Sequence, residues 1–387
     1  MNQSDKRVLR VLHVHQRAAF MGGVEQILFD TATGLSEAGW PQALLYSEGA
    51  LSPAFAVPFL LTGDDYSLIE RFKPDVLLLH KVEDIAMVSY LANTYPAVRM
   101  VHDHDVVCLR RHKYFPISTR ICNKPAGINC YTHLCFILKS GPDAVLPISF
   151  KSVAAQKKVI RSNDALRALI VGSQWMREEL VMNGIEDEKV HVIHPIPRES
   201  AENRVLPPSG RREILYVGQI IRGKGVDLML QALALLKTEW HATIIGTGNH
   251  LEYCQRLARR LGLSDQVKFA GWVDHVNLNQ YYANALFTVV PSRWPEPFGM
   301  VGVEAMSRGV PVVGFHAGGI PDWLAHEKTG LIAAEGDVHA LAHEMGRMLS
   351  DPEWAIRLGQ AAMLSVQEEF RHDTYLSKIM SVMKGLV

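Results

Sequence analysis

Twice along this chain of 387 residues, short runs rich in Val, Ile and Leu alternate with amphipathic stretches. In the first series VLRVLHVH (8–15), DVLLLH (75–80), VRMVH (98–102) and ALIVGS (168–173) read as buried strands. The stretch VEQILFDTATGLSEAG (24–39) carries Val24, Ile27, Leu28 and Leu35 on one helical face and stops at Gly39. A polar, proline-rich segment, PIPRESAENRVLPPSGRR (195–212), has no periodicity and reads as a linker. The alternation then restarts with EILYVG (213–218), HATIIG (241–246), QVKFAG (266–271), LFTVV (286–290) and VPVVGF (310–315). Helical patterns cover 226–236 and 250–261, and another follows Gly299. Strands that are apolar along their whole length and separated by helices specify a parallel sheet covered on both faces. A chain this long also exceeds what one hydrophobic core sustains.

The expectation is an α/β protein of two doubly wound, Rossmann-like domains facing each other across a cleft. The first would span 1–195 with a basic, cysteine-bearing insert at about 106–163. A linker at 196–212, a second domain at 213–370 and a terminal helix at 371–387, packing back on the first domain, would follow. Open α/β sheets bind ligands beyond the carboxyl ends of their strands, so the loops leaving strands carry the chemistry.

The N-terminus, MNQSDKR, is polar where a secretory signal needs an apolar run. No stretch approaches the roughly 18 uninterrupted apolar residues of a spanning helix. A cytoplasmic location is expected, with work at the inner face of the membrane as a further option. Forty basic and forty acidic residues cancel overall, yet residues 106–163 hold ten basic residues against the acid Asp143. That asymmetry asks for an anionic partner. No recognition motif accompanies it, so nucleic acid is not expected.

The most informative stretch is RWPEPFGMVGVEAMSRG (293–309). A loop with Glu296 leads into a helix carrying Glu304. The backbone amides around Phe298, Gly299, Met300 and Val301, with the helix dipole, make an anion site. Glu304 lies about 7 Å along the helix axis, at about 1.5 Å per residue. A carboxylate accepts hydrogen bonds from two vicinal hydroxyls. Acceptor, anion cradle and acceptor in succession suit hexose, pyrophosphate and ribose of one nucleotide-sugar.

The longer run PSRWPEPFGMVGVEAMSRGVPVVGFHAGGIPDWLAHEKTGLIAAEGD resembles the donor-binding region of retaining family-4 glycosyltransferases of GT-B fold. The likeness extends over most of the chain and is strongest over 213–337. It implies a retaining transfer of a hexose from a nucleoside-diphosphate sugar to an acceptor hydroxyl, in cell-surface polysaccharide or glycolipid synthesis. No cofactor and no catalytic metal is required. Partners would be the nucleotide-sugar donor and a sugar or lipid-linked sugar acceptor. The resemblance places Glu304 at the ribose hydroxyls, Glu296 at the donor hexose and Lys224 at the pyrophosphate. The basic residue expected five positions before Lys224 is Gln219, a departure from the pattern; Arg222 is the nearest replacement. Gly22 and Gly23 match a turn that lets the backbone approach phosphate. His102 matches the histidine facing the transferred sugar, and Glu25 is placed to help with the acceptor. Other enzymes of the same fold, of the sugar-phosphate synthase or phosphorylase type, and a catalytically silent binder remain open.

Cys108, Cys122 and Cys130, with either His133 or Cys135 as the fourth ligand, could form a structural zinc site, although no C-x2-C pair supports it. Reduced cysteines packing an irregular insert suit the pattern equally. Basic and aromatic residues interleave in the same insert (Arg110, Arg111, Lys113, Tyr114, Phe115, Phe136, Lys139), which suits an anionic membrane surface. A dinucleotide-dependent dehydrogenase is disfavoured: GTGNHL (246–251) has Leu251 where a third glycine is needed.

Overall fold

The computed structural model describes residues 7–139, 148–197 and 212–387. Most of the expected linker, 198–211, and residues 140–147 of the insert therefore lie outside the described residues. The chain divides into two compact units. One comprises residues 1–111, 123–195 and 372–387, and the other residues 112–122 and 196–371.

The first unit is built on β1 (Val11–Arg17), β2 (Gln42–Glu48), β3 (Leu61–Gly63), β4 (Val76–Leu79) and β5 (Ala97–Val101). A short antiparallel hairpin of β6 (Ile137–Lys139) and β7 (Ile148–Phe150) stands apart, and β8 (Ala168–Val171) and β9 (Val190–Val192) complete the main sheet. Its order is β3-β2-β1-β4-β5-β8-β9, and all its pairings are parallel. Leu12, Val14, Leu77, Leu79 and Leu169 are essentially inaccessible to solvent, as strands sandwiched between helical layers must be. The helix Gly23–Glu37 packs against the terminal helix His372–Lys384. A side chain at Gly34 would stand 2.5 Å from Leu376, so glycine permits that close approach. The Thr31 and Tyr375 hydroxyls are 2.7 Å apart there.

The second unit contains β10 (Glu213–Val217), β11 (His241–Ile245), β12 (Val267–Gly271), β13 (Phe287–Val290), β14 (Val312–Phe315) and β15 (Gly330–Ala333). The order β12-β11-β10-β13-β14-β15 repeats the reversal seen in the first sheet. In both, the first strand pairs with the second on one side and with a strand from later in the chain on the other. That switch point is where a doubly wound sheet opens a crevice at its carboxyl edge.

Residues 112–122 group with the second unit although the flanking insert groups with the first. Tyr114 bridges Ile121, the Ile121 amide donates to Glu335 at 2.8 Å, and Ile121 packs on the core of the second unit. Among the described residues no helix is long and apolar enough to cross a membrane.

Candidate functional site

Each unit gathers polar side chains at its own switch point. In the second unit the loops after β10 and β13 meet. Gly225 adopts φ +71°, and a Cβ there would come within 1.8 Å of the Pro291 carbonyl; only glycine allows this crossing. The amides of Arg293 and Trp294 both donate to the Gly223 carbonyl, tying the two loops together. The Arg293 guanidinium forks onto Asp227 at 3.0 and 2.9 Å and donates to the Arg222 carbonyl at 2.7 Å.

These contacts bring Lys224 to Glu296. The ammonium lies 2.7 and 2.9 Å from the two carboxylate oxygens and 5.2 Å from the centre of the Trp294 ring. Ser292 donates a further short hydrogen bond to the same carboxylate. Burial alone would push the Glu296 carboxyl up. The Lys224 charge and the hydrogen bonds from Lys224, Ser292 and Trp294 outweigh it and hold the group below the usual carboxylate range. Gly318 lies against the Glu296 backbone, and the Gly319 amide donates to the Glu296 carbonyl at 2.7 Å.

The helix Met300–Ser307 begins just beyond, with Gly299 in the left-handed region at φ +97°. Trp323 donates its indole N–H to the Phe298 carbonyl at 2.6 Å, and a Cβ on Gly302 would collide with the same indole at 2.0 Å. The first turn thus rests on Trp323. The amides of Met300 and Val301 belong to that first turn, which has no intrahelical acceptors for its N–H groups. Glu304 differs from Glu296: the basic side chain it meets is the His275 imidazole, 4.0 Å away, and a fifth of its side chain is exposed. Gln219 and Arg222 are both exposed on the loop after β10. The structure therefore brings Lys224 and Glu296 into direct contact, where the sequence placed them on separate parts of a donor.

In the first unit Gly22 and Gly23 open the helix after β1. Gly22 is extended, and a Cβ on Gly23 would meet nothing within 4 Å. Neither glycine is demanded by the fold itself. Glu25 is buried and lies 3.2 Å from His15 Nε2. The Lys81 amide donates to His15 Nδ1 at 3.3 Å, so the proton sits on Nε2 and His15 donates to Glu25. Burial raises the Glu25 carboxyl, but the His15 hydrogen bond and nearby backbone donation bring it below its ordinary value.

His102 follows β5. Its Nε2 is 3.1 Å from His80 Nδ1, and His80 Nε2 is 3.1 Å from His13 Nδ1. Burial lowers all three imidazoles: His13 to about 4, His102 to about 3, and His80 well below its ordinary value. Beside them Lys81 pairs with Asp103 at 2.6 Å, and Asp103 accepts the Asp105 amide at 2.8 Å. Burial and the Asp103 charge push the Asp105 carboxyl up, while Asp103 itself is held down by its hydrogen bonds and by Lys81.

The expected zinc set is not assembled. Cys122 belongs to the second unit, Cys108 and Cys130 to the first, and Cys135 directs its thiol at the His133 carbonyl, 3.8 Å away. Among the described residues no three His, Cys, Asp or Glu side chains are gathered to hold a metal ion, and the cysteines form no disulfide. The sequence reading also passed over His13, His80, Lys81, Asp227, Arg293 and Trp323. One signal was available: HVH, LLLH and MVH all end apolar strands in histidine.

A cavity of about 670 Å³ lined by Glu213, His241, Thr243 and Tyr281 opens at the amino ends of β10 and β11. It lies at the opposite edge of the sheet from Lys224 and Glu296, and none of the residues above line it.

Two doubly wound parallel-sheet units in succession are the architecture of the GT-B fold, and solved structures agree. The chain aligns with a sucrose-phosphate synthase from Thermosynechococcus elongatus at TM-score 0.75 and 19% identity, over 97% of this chain and 99% of that one. It aligns with an Anabaena protein solved in complex with UDP-glucose at TM-score 0.71 and 18% identity, over 98% and 100% of the two chains. Residues 197–364 match the family described as glycosyl transferases group 1. Among curated relatives, a GDP-mannose-dependent phosphatidylinositol monomannoside mannosyltransferase from Mycobacterium tuberculosis is 29% identical over 217 residues. That match covers 54% of this chain and 56% of the relative, so the chain spans about half the length of the curated relatives it matches.

Proposed function

We propose that the protein transfers a hexose from a nucleoside-diphosphate sugar to an acceptor hydroxyl with retention of anomeric configuration. The observation that carries this is the pairing of Lys224 with a fully buried Glu296 beside the open first turn of Met300–Ser307. A fixed cation and free helix amides stabilise a leaving pyrophosphate without reorganising during the reaction. Glu304, lightly engaged, is left to accept two ribose hydroxyls. Glu296, released from Lys224 when phosphate arrives, would accept a hydroxyl of the hexose. His102 would face the transferred sugar, and Glu25, oriented by His15, the acceptor. Arg222, exposed beside Lys224, takes over the charge absent at Gln219.

The test is donor turnover. Uridine, guanosine and adenosine diphosphates are screened by thermal shift, then the matching sugars are assayed for nucleoside-diphosphate release with simple glycoside and lipid-linked acceptors. One nucleotide should stabilise the protein, and its sugar should be consumed only with acceptor present. Proton NMR of the product should show the donor's anomeric configuration. Binding without turnover across all acceptors would favour a silent binder, and inversion would rule out the mechanism.

The acceptor is proposed to be membrane-associated, in polysaccharide or glycolipid synthesis. Ile128, Tyr131, Leu134, Ile148 and Phe150 are exposed on the insert that also carries Lys151, Lys157 and Lys158. Each basic residue near an anionic surface adds about 1 kcal/mol. Co-sedimentation with phosphatidylserine-rich vesicles at low salt, and its loss at high salt, is the expected outcome.

A further inference from the structure

The imidazoles behind His102 form a line with a direction. Gln42, wholly buried on β2, is its far end. Its amide nitrogen donates to the Trp40 carbonyl at 2.9 Å, and its amide oxygen lies 2.7 Å from His13 Nε2. From there the contacts run from His13 Nδ1 to His80 Nε2 and from His80 Nδ1 to His102 Nε2. The rings lie nearly parallel, at 9° for the first pair and 15° for the second. The line therefore runs obliquely across four neighbouring strands, from the amino end of β2 through the interior of β1 to the residues that follow β4 and β5.

Hydrogen-bond capacity fixes which atom holds each proton. A carbonyl oxygen only accepts, so Trp40 draws the NH2 group of Gln42 and turns the amide oxygen to His13. That oxygen also only accepts, so His13 carries its proton on Nε2. A neutral imidazole has one N–H and one lone pair. His13 Nδ1 is then an acceptor, and His80 Nε2 must donate to it. By the same step His80 Nδ1 accepts, and His102 Nε2 donates. One buried amide thus dictates the tautomer of a ring three hydrogen bonds away. The other ring nitrogen of His102 is left with a lone pair, and no hydrogen bond to it forms among the described residues. His102 is also the one ring of the three that is partly exposed.

We propose that Gln42, His13 and His80 are positioning residues that lock His102 as the Nε2–H tautomer and so present its Nδ1 as a hydrogen-bond acceptor to a substrate hydroxyl. The tautomer follows from the buried geometry alone. The identity of the hydroxyl as one on a sugar rests on the transferase reading. The opposite tautomer would offer an N–H, which the hydroxyl oxygen could only accept, so the direction of the line selects a ligand group that donates.

Long-range proton–nitrogen correlation on the full chain, with histidine labelled in 15N, reads the tautomer directly. In the native protein His13, His80 and His102 should each show a pyrrole-like Nε2 and a pyridine-like Nδ1. Gln42→Met removes the anchor while preserving bulk, and His80→Phe preserves ring shape while cutting the line. In both variants His102 should show a second population protonated on Nδ1. If transfer activity is present, kcat/KM should fall by about three- to tenfold, the effect of losing one neutral hydrogen bond. A native His102 protonated on Nδ1 overturns the proposal without any variant having to fold. An unchanged His102 spectrum in both variants overturns it as well. Absence of turnover in the native protein would count against the transferase reading and leave the tautomer result standing.

Discussion

The two switch points hold their polar groups in different electrical styles. In the first unit a row of neutral rings, ordered by hydrogen bonds and anchored by an amide, lies behind His102, with the Lys81–Asp103 ion pair beside it. In the second the polar groups are full charges: Lys224 against Glu296, and Arg293 against Asp227. Neutral rows cost little to bury once every atom is paired, whereas buried ions need their partners in place. The first arrangement suits orienting an uncharged sugar. The second suits meeting a phosphate, which can displace one member of an ion pair and take over the other.

The sharpest break of this comparison is Lys224→Ala. It strands the Glu296 carboxylate, which is 3% exposed, and should cost about 3 kcal/mol or more of stability, read by denaturant unfolding. Transfer should be lost with it. A variant as stable as the native protein would show that Glu296 protonates readily and that the pair carries little. Glu304→Ala comes next. With no tight partner to strand, it should leave the unfolding midpoint unchanged. Donor use should still fall at least about tenfold through loss of one or two charge-assisted hydrogen bonds.

Acid separates the two units more gently. His13 and His102 have folded values of about 4 and about 3, and His80 lies well below its ordinary 6.5. The unfolded chain therefore binds more protons than the folded one between those values and 6.5. Stability in the first unit should rise with pH across that window and be lost on acidification through it. Asp105, raised above its ordinary 3.8, works in the opposite sense, but one carboxyl faces three imidazoles. Hydrogen exchange at pH 7 and pH 5 should show protection falling around β1, β4 and β5 before it falls around β10 and β13.

The smallest effect is expected at Gly23→Ala. The fold has room for the methyl group, so stability should hold or rise by about 0.4–1 kcal/mol. Weakened donor binding without any loss of stability would show that phosphate lies on that backbone.

Much of this was legible in the residues. The apolar strand runs gave both parallel sheets, and EPFG followed by a helix placed Glu296 and Glu304 on one loop–helix unit. What stayed hidden was set by partners distant in sequence. β3 and β9 are three-residue edge strands with too few positions to show a period. β2 has only a brief apolar run after Trp40 and Pro41. The Lys224–Glu296 contact spans 72 positions and depends on the Gly225–Pro291 crossing, which no local pattern announces. The cysteine count invited a metal, yet among the described residues no three candidate ligands are gathered to hold one. His13 inside one strand and His80 and His102 just after two others were in plain view, but their alignment needed the strand order.

The path of the chain has a practical consequence for anyone cutting it. The backbone changes unit after residues 111, 122, 195 and 371. A fragment ending at the linker would lack the helix that shields Gly34, and its complement would lack the peptide whose Tyr114 packs beside Gly223. Neither half is a free-standing piece, so trading halves between relatives requires moving both loans along with them.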